Sequence, residues 1–302
     1  MLTIRREDRM KGASSTLSEA ELDAEFSLGA IPDLESVFAR RTAASRAARA
    51  SLRHHRQLRY GTRPGETCDV FPSVRAFEGG APVLIYIHGG FWRANDAATF
   101  SYVAEGFAPQ GALVIVIDYD LMPAVGLRDI IHECETALQW AHGHAREFGG
   151  DPNRIFVSGN SAGGHLAAML ADRRWPQRRD LPSDVVKGAI AVSGIYDLAP
   201  LTSTSMQEDF RFTPADIEAM SPLRLLPHEA APLLLAVGEH ETRAFRDETH
   251  KYAEACRNHG LHIREMTVPN TNHITVVLDA FAQPGHELNK ATLRMMALAE
   301  DD

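Results

Sequence analysis

The chain has 302 residues, of which 44% are hydrophobic and 24% are charged, a composition typical of a soluble globular protein. Its net charge of −9 argues against nucleic acid or an anionic membrane surface as a partner. The three cysteines, Cys68, Cys134 and Cys256, lie far apart without a C-x-x-C pair. The sequence therefore predicts neither a disulfide framework nor a zinc site, and we expect three small buried side chains.

The N-terminal segment lacks the features of a targeting signal. Residues 1–12 are charged and contain no apolar core, and no apolar run in the chain approaches 18 residues. We therefore expect no secretory signal, no transmembrane helix and a cytoplasmic location.

Residues 1–64 are predicted to form a helical N-terminal arm. A short helix comes first, and a longer one begins at Asp33 and continues to about Arg56, before Gly61 and Pro64 break it. The longer helix carries six arginines: Arg40, Arg41, Arg46, Arg49, Arg53 and Arg56. A basic binding face stays open, but in so acidic a chain we favour a solvated helix face.

From Thr67 onward, apolar strands alternate with helices. The predicted strands are 69–72, 74–77, 82–88, 112–119, 155–158, 187–194, 232–238 and 263–268. The predicted helices are 127–148, 166–171, 244–257 and 286–298. Strands that are apolar throughout and joined by helices predict an α/β fold, with a mostly parallel central sheet covered by helices on both faces.

One segment between two predicted strands has no regular pattern. Residues 195–230 are rich in Pro, Met, Ser and Phe, and we predict a small lid insertion there. No internal repeat, low-complexity tract or linker divides the chain, which predicts a single domain over residues 1–302.

The chain is organised around a pentapeptide, Gly-x-Ser-x-Gly, at residues 159–163. A strand-like run leads into it and an Ala-rich helical run follows, which predicts a nucleophile elbow that exposes the hydroxyl of Ser161. Gly159 and Gly163 approach each other at such a turn, where a Cβ atom would not fit. Chance alone supplies such a pentapeptide in roughly one chain of this length in ten, so its partners decide its meaning.

The partners of the serine are expected at the carboxyl ends of later strands, where parallel α/β sheets hold their reactive residues. Glu241 follows one such strand and His273 follows the last, in the chain order serine, acid, histidine. We predict that His273 takes the proton of Ser161 and that Glu241 orients the imidazole. Glu239 and Asp247 stay open as alternative acids.

The strand that ends at His88 is followed by two glycines and two aromatic residues. Glycines let backbone N–H groups approach a developing oxyanion, and each such donor contributes roughly 3–4 kcal/mol. We predict an oxyanion hole formed by the N–H groups of Gly90, Phe91 and Ala162, with Gly89 as a further candidate. His88 is expected to fix this loop by hydrogen bonding.

Together these motifs resemble the arylformamidases (kynurenine formamidases), within the hormone-sensitive-lipase-like esterase group of α/β-hydrolases. The resemblance covers about residues 20–295. The shared features are an aromatic residue and Trp92 after His-Gly-Gly, a His-Leu-Ala run after the elbow, and a helical segment that leads to Tyr60-Gly61 and to Asp-Val-Phe-Pro at 69–72.

The resemblance implies an α/β-hydrolase fold with Ser161 as nucleophile, His273 as base and Glu241 as acid. Two positions depart from the family pattern. The acid is a glutamate where the family has an aspartate, and Asn160 precedes the serine where His or Asp is commoner. Both departures leave the subfamily open.

The resemblance further implies a serine hydrolase that acts through an acyl-enzyme, on N-formylkynurenine or a related aryl formamide or amide. A formamide needs a small acyl pocket and an apolar leaving-group pocket. The residues expected around the substrate are His88, Trp92, Asn160, Tyr196 and Phe210, with Phe91, Met206 and Phe212 as further lining candidates. A carboxylesterase for small acyl or aryl esters is the alternative, and a non-catalytic binding protein on this scaffold comes third.

A small molecule is the expected partner. No cofactor and no metal are implied, and a homodimer stays open.

Overall fold

The computed structural model describes residues 17–299, so residues 1–16, where no targeting signal is predicted, lie outside the described residues. The α-helices are α1 (Glu19–Glu25), α2 (Leu34–Ser51), α3 (Val103–Phe107), α4 (Leu127–His144), α5 (Ala162–Leu170), α6 (Gln207–Phe210), α7 (Pro214–Met220), α8 (Arg243–Asn258) and α9 (Glu287–Met295). The strands are β1 (His55–Arg59), β2 (Thr67–Phe71), β3 (Ala81–Ile87), β4 (Leu113–Ile117), β5 (Gly150–Asn160), β6 (Val186–Val192), β7 (Leu233–Gly238) and β8 (Ile263–Val268). A π-helix spans Val276–Phe281.

The strands of this region form one sheet in the order β1-β2-β4-β3-β5-β6-β7-β8. β1 and β2 are antiparallel to their neighbours, whereas β3 to β8 pair in parallel. The predicted mostly parallel sheet is therefore confirmed. Because all its parallel strands run in one direction, the turns after β3, β5, β6, β7 and β8 gather at one edge of the sheet.

Helices cover both faces of the sheet, as the apolar strands predict. In β3, Val83 and Ile85 face one core cluster, and Leu84 and Tyr86 face the other. The first cluster includes side chains of α4, α5 and α8, and the second includes those of α3, α9 and the π-helix. Side chains of a strand point alternately to opposite faces, so a strand packed on both faces is apolar at every position.

The predicted continuation of the second helix to about Arg56 is wrong. α2 ends at Ser51, and β1 follows as an edge strand paired with β2. Asp69 on β2 holds this junction, since its carboxylate accepts a hydrogen bond from the backbone N–H of Gln57 at 2.9 Å and forms an ion pair with Arg49. Pairing with β2 thus overrides the weak local preference for helix at 55–56.

The predicted strand at 74–77 is also wrong. Pro72 has no N–H to donate to a ladder, and the hydroxyl of Ser73 accepts a hydrogen bond from the backbone N–H of Arg75. Val74 is 67% exposed and bonds to Ala108 instead of to a strand. This segment is a surface turn between β2 and β3.

The segment 195–230, between β6 and β7, contains α6 and α7 and is anchored to the rest of the domain at two places. Near its start, the buried carboxylate of Glu248 accepts hydrogen bonds from the backbone N–H groups of Tyr196 and Asp197 at 2.9 and 2.8 Å. Further along, Nε2 of His165 donates to the carbonyl of Met220 at 2.7 Å. These contacts tie the segment to α8 and to α5.

The three cysteines lie on β2, α4 and α8, and all three are free and buried, as expected. Within residues 17–299, no helix is long and apolar enough to cross a membrane.

Candidate active site

Ser161 occupies a strained turn between β5 and α5. Its φ of 55° and ψ of −120° lie outside the regions that residues with a side chain ordinarily adopt, at a cost of roughly 1–3 kcal/mol. Two backbone hydrogen bonds hold the turn, from Ser161 N to Val192 O at 2.9 Å and from His165 N to Ser161 O at 3.0 Å. At Gly163 a Cβ atom would lie 2.0 Å from the carbonyl oxygen of Ile87, so only glycine fits. The surroundings therefore enforce the strain.

Glu241 and His273 form a buried hydrogen-bonded pair beside this turn. Oε2 of Glu241 lies 2.6 Å from Nδ1 of His273, and the glutamate side chain is fully buried. Its other oxygen, Oε1, accepts from Ser193 Oγ at 2.5 Å and from Gly238 N at 2.7 Å. Because both carboxylate oxygens have donors, burial of this group is compensated. A histidine that donates from Nδ1 presents Nε2 as an acceptor on the opposite side of the ring.

The other two acidic candidates do not contact His273. Oε2 of Glu239 accepts from the backbone N–H of Asn270 at 2.9 Å, and the residue is exposed. Asp247 pairs with Arg243, one turn earlier on α8, at 3.1 Å. Of the three carboxylates, only that of Glu241 therefore contacts the histidine.

An aromatic side chain holds the imidazole from one face. The ring centroids of Phe245 and His273 are 4.1 Å apart. Phe26, from the N-terminal arm, packs edge-on against Phe245 at 5.7 Å. The arm thus supports the position of the histidine.

The loop after β3 turns sharply at three successive residues. Gly90, Phe91 and Trp92 have φ values of 128°, 50° and 56°. A Cβ at Gly90 would lie 2.2 Å from the carbonyl oxygen of Ala94. Gly90 thus has to be a glycine, and Phe91 and Trp92 hold a conformation that residues with a side chain rarely adopt.

The prediction of Gly89 as a further oxyanion donor is wrong. Its N–H already donates to Oδ1 of Asn160 at 3.2 Å. Its carbonyl accepts from Nδ1 of His88 and from Nδ2 of Asn95, each at 2.9 Å. The peptide group of Gly89 is thus an anchor for the loop, and its N–H is not available to a ligand.

The N–H groups of Gly90, Phe91 and Ala162 have no hydrogen-bond partner within residues 17–299. Ala162 is the first residue of α5, where the helix leaves its N–H groups unpaired and its dipole favours negative charge. These three donors, but not Gly89, keep the capacity that the sequence predicts for them.

His88 lies behind the loop and is completely buried. Its ring stacks on Tyr119 with 4.3 Å between the centroids, and burial lowers its pKa to about 4. The imidazole is therefore neutral near pH 7, with its proton on Nδ1 bonded to Gly89. The structure supports the loop-fixing contact and contradicts a contact between His88 and substrate.

A cavity of about 70 Å³ opens beside Ser161. The predicted residues that line it are Gly89, Gly90, Phe91, Asn160, Ser161 and His273. The remaining lining comes from residues that the sequence did not single out as substrate contacts, namely Leu28, Phe38, Arg41, Asn95, Phe100 and Ile274. Three of these, Leu28, Phe38 and Arg41, belong to the N-terminal arm, which therefore forms one wall of the site.

Trp92, Tyr196 and Phe210 were predicted around the substrate, but none of them lines this cavity. Trp92 is fully buried and packs edge-on against Phe210, and Tyr196 stacks on Tyr252 with 4.4 Å between the ring centroids. Large aromatic rings bury 150–250 Å² each, so internal packing stabilises them strongly. The same applies to the further candidates Met206 and Phe212, which are buried and also do not line the cavity.

Asn160 reaches the cavity, although its amide oxygen is engaged elsewhere. Oδ1 accepts from the hydroxyl of Tyr86 at 2.9 Å and from Gly89 N at 3.2 Å. Asn160 therefore links the elbow to the loop after β3.

Ser193, which contacts Glu241, is not among the predicted site residues, although its position in the sequence carries a signal. Ser193 directly follows β6 at the same sheet edge as the elbow, so the strand-end rule that selected Glu241 and His273 applies to it equally. The arm residues carry no such signal, because only packing brings α2 to the cavity. Within the described part of the chain, no cluster of three or more His, Cys, Asp or Glu side chains could hold a metal ion.

A family model for the alpha/beta hydrolase fold matches residues 84–277, which is more than half of the chain. The chain belongs to this family. The match begins within β3 and extends into the π-helix, so it contains the loop after β3, the elbow and the pair formed by Glu241 and His273.

Proteins similar to this alpha/beta hydrolase include a formamidase, an esterase and a solved structure of a thioesterase candidate. Kynurenine formamidase of Salmo salar is 28% identical over 249 residues, which cover 78% of this chain and 80% of that protein. Esterase LipC of Mycobacterium tuberculosis is 30% identical over 222 residues, which cover 68% of this chain and 55% of that protein. A crystal structure of a candidate thioesterase from Silicibacter sp. TM1040 superposes with a TM-score of 0.77 and 28% identity, covering 89% of this chain and 97% of that one. The chain is thus an alpha/beta-fold hydrolase with formamidase and esterase relatives.

Proposed function

We propose that this hydrolase cleaves a carboxylic amide or ester through an acyl-enzyme formed on Ser161. The observation that carries the proposal is the 2.6 Å contact between Glu241 and His273 at a cavity that Ser161 also lines. Glu241 fixes the imidazole with its proton on Nδ1, so that Nε2 is free to accept the serine proton. The buried carboxylate also stabilises the imidazolium that results.

In the proposed reaction, Oγ of Ser161 attacks the carbonyl carbon of the substrate while His273 takes its proton. The tetrahedral oxyanion is stabilised by the N–H groups of Gly90, Phe91 and Ala162. When it collapses, the C–N or C–O bond breaks and His273 returns the proton to the leaving amine or alcohol. A water molecule, deprotonated by His273, then attacks the acyl-enzyme and releases the carboxylic acid and the free serine.

An aryl formamide, such as N-formylkynurenine, is the substrate class that we propose. A cavity of about 70 Å³ has room for a small acyl group and for the adjoining part of a bulkier leaving group, the rest of which would extend out of it. Phe38, Phe91 and Phe100 in its lining give an aromatic leaving group an apolar surface to contact. The relatives named kynurenine formamidase in Salmo salar and Danio rerio, each 28% identical, support the same class.

Hydrolysis of small acyl or aryl esters is the second candidate. The esterase from Mycobacterium tuberculosis, at 30% identity, favours it, and an acetyl group is little larger than a formyl group. Esters are also intrinsically easier to cleave than amides, so a formamidase of this design is expected to show ester hydrolysis as well.

The test is a comparison of N-formylkynurenine with p-nitrophenyl acetate, in wild type and in Ser161→Ala. We expect kcat/KM for the formamide to equal or exceed that for the ester, and Ser161→Ala to abolish both. Ser158→Ala is the control, because Ser158 is a buried serine of β5 whose hydroxyl has no hydrogen-bond partner within residues 17–299. A formamide kcat/KM several orders of magnitude below the ester value would favour the esterase. Unchanged hydrolysis in Ser161→Ala would show that Ser161 is not the nucleophile, and absence of hydrolysis of both substrates in wild type would favour a non-catalytic binding protein on this scaffold.

We also propose a cytoplasmic location. The three cysteines are free and buried, in keeping with a compartment that maintains thiols in the reduced state. Fractionation of the producing cells, with activity on p-nitrophenyl acetate as the marker, tests this proposal.

A further inference from the structure

Arg41 brings a positive charge to the wall of the cavity. It lies on α2, and the cavity that it lines also contains Ser161 and His273. The side chain is half-buried, and its Nε atom is inaccessible to solvent. A cation in this position faces whatever molecule occupies the cavity.

Arg41 makes no hydrogen bond and no ion pair with any residue of the described range 17–299. Two other arginines of α2 do have carboxylate partners: Arg40 contacts Asp279 at 2.5 Å, and Arg49 pairs with Asp69. The acid whose charge acts on Arg41 from nearby is Asp96, but Oδ1 of Asp96 accepts instead from the backbone N–H and the hydroxyl of Thr99. The guanidinium is therefore not neutralised by a direct contact.

Two aromatic rings hold the guanidinium in place. Its central carbon lies 4.6 Å from the ring centroid of Phe38 and 5.3 Å from that of Phe100. Burial lowers the pKa of Arg41, but an arginine keeps its charge at any physiological pH. A partly buried guanidinium that has no hydrogen-bond acceptor is energetically unfavourable. Because the two rings already restrict the side chain, it loses less conformational entropy when it binds an anion.

We propose that Arg41 binds a carboxylate of the substrate. The guanidinium presents paired N–H donors whose geometry matches a carboxylate. A formyl or acetyl group carries no carboxylate, so the carboxylate must belong to the leaving group. This inference rests on the proposed function and narrows it. The preferred substrates are aryl amides or esters whose leaving group carries a carboxylate.

A matched substrate pair tests the inference, with 3-acetoxybenzoate as the anionic ester and 3-acetoxybenzamide as its neutral counterpart. In Arg41→Gln, we expect kcat/KM for the anionic ester to fall roughly 10- to 100-fold, the range for a hydrogen bond to a charged group. The value for the neutral ester is expected to stay within about twofold. Arg41→Lys keeps the charge but loses the paired donors, so its loss on the anionic ester should be smaller.

Arg46→Gln is the control, because Arg46 is an exposed arginine on the same helix and undergoes the same change of charge. It should not alter the ratio of kcat/KM values for the two esters. Equal losses on both esters in Arg41→Gln would overturn the proposal, since they would show that Arg41 only supports the fold. A thermal unfolding midpoint for each variant accompanies the kinetics.

A binding measurement separates failure of this inference from failure of the proposed function. In Ser161→Ala, calorimetry should show that 3-acetoxybenzoate binds more tightly than 3-acetoxybenzamide, and that adding Arg41→Gln removes the difference. If wild type hydrolyses neither ester nor N-formylkynurenine, the proposed function fails and this binding difference still decides the role of Arg41. If wild type hydrolyses the esters but Ser161→Ala binds both equally, the carboxylate site fails and the proposed function stands.

Discussion

The hydroxyl of Ser193 donates a hydrogen bond to Oε1 of Glu241 at 2.5 Å. Ser193 directly follows β6 with a φ of 51°, a conformation that residues with a side chain rarely adopt. Its N–H bonds to Ala236 O at 2.7 Å, which helps to hold this conformation. The hydroxyl and the N–H of Gly238 together occupy one oxygen of the carboxylate, so the other oxygen is directed at His273.

Ser193→Ala should lower kcat about tenfold and leave KM within about twofold, because Ser193 positions the proposed acid without contacting substrate. A hydrogen bond to a charged group contributes roughly 1.5–3 kcal/mol, which sets the upper end of the loss at about 100-fold. Steady-state kinetics on p-nitrophenyl acetate measure both constants. Ser158→Ala removes another buried serine hydroxyl, one without a partner among the described residues, and should change neither constant. A rise in KM with unchanged kcat in Ser193→Ala would contradict the positioning role.

Glu241→Gln should reduce kcat/KM by roughly 10³- to 10⁴-fold, the loss expected when a neutral amide replaces the carboxylate partner of a catalytic histidine. The amide no longer stabilises an imidazolium and does not select one tautomer of His273. Glu239→Gln is the matched control, because Glu239 lies two residues earlier and bonds to Asn270. We expect it to keep kcat/KM within about twofold of wild type. A comparable loss in Glu239→Gln would show that the acid is misassigned.

Asn160→Ala should lower kcat about tenfold by releasing the loop that carries the proposed oxyanion donors. The substitution removes the acceptor of the Gly89 N–H, and an unpaired buried donor costs roughly 1–3 kcal/mol. Tyr86→Phe is the comparison, since it deletes the other donor to Asn160 and leaves the bond to Gly89 in place. Its kcat should change by less than about threefold. If Tyr86→Phe lowered kcat as much as Asn160→Ala, the contact with Gly89 would not be the reason for the loss.

The stability of the fold should decrease between pH 7 and pH 5, partly through His165. Burial lowers the pKa of His165 from 6.5 to about 4, so in this range the unfolded chain binds the proton more tightly than the folded one. The stabilisation that neutral His165 contributes is therefore complete above about pH 6.5 and is lost as the pH falls toward 4. The loss between pH 7 and pH 5 amounts to about 2 kcal/mol.

Urea unfolding of His165→Gln at the two pH values checks this prediction. Glutamine cannot titrate but can still donate to the carbonyl of Met220, so the free energy of unfolding should fall about 2 kcal/mol less than in wild type. His259→Gln is the control, because His259 is an exposed histidine at the end of α8, and its loss of stability should match wild type. A decrease in His165→Gln equal to that of wild type would refute the assignment.

Some elements of the fold could be predicted from local sequence alone. β8 spans Ile263–Val268, as predicted, and the helix predicted at 244–257 is observed one residue longer at each end. Such elements have a continuous apolar or periodic pattern that reflects one packing environment. β1 has no such pattern, because its position depends on backbone pairing with β2 and on the side chain of Asp69.

The sequence by itself determined the family and the order of the groups that can carry the chemistry. Glycine spacing around Ser161 and the residues after two strand ends are local features, and strand direction alone brings them to one edge of the sheet. Only the tertiary structure brings Glu241, and neither of its two competitors, into contact with His273. It also pairs the N–H of Gly89 with Asn160 and buries the predicted aromatic residues in the core. It also placed Arg41 in the cavity. Each of these outcomes depends on contacts between residues that lie far apart in the sequence, 32 positions for Glu241 and His273 and 71 for Gly89 and Asn160. Such contacts are set by packing, which no short stretch of sequence encodes.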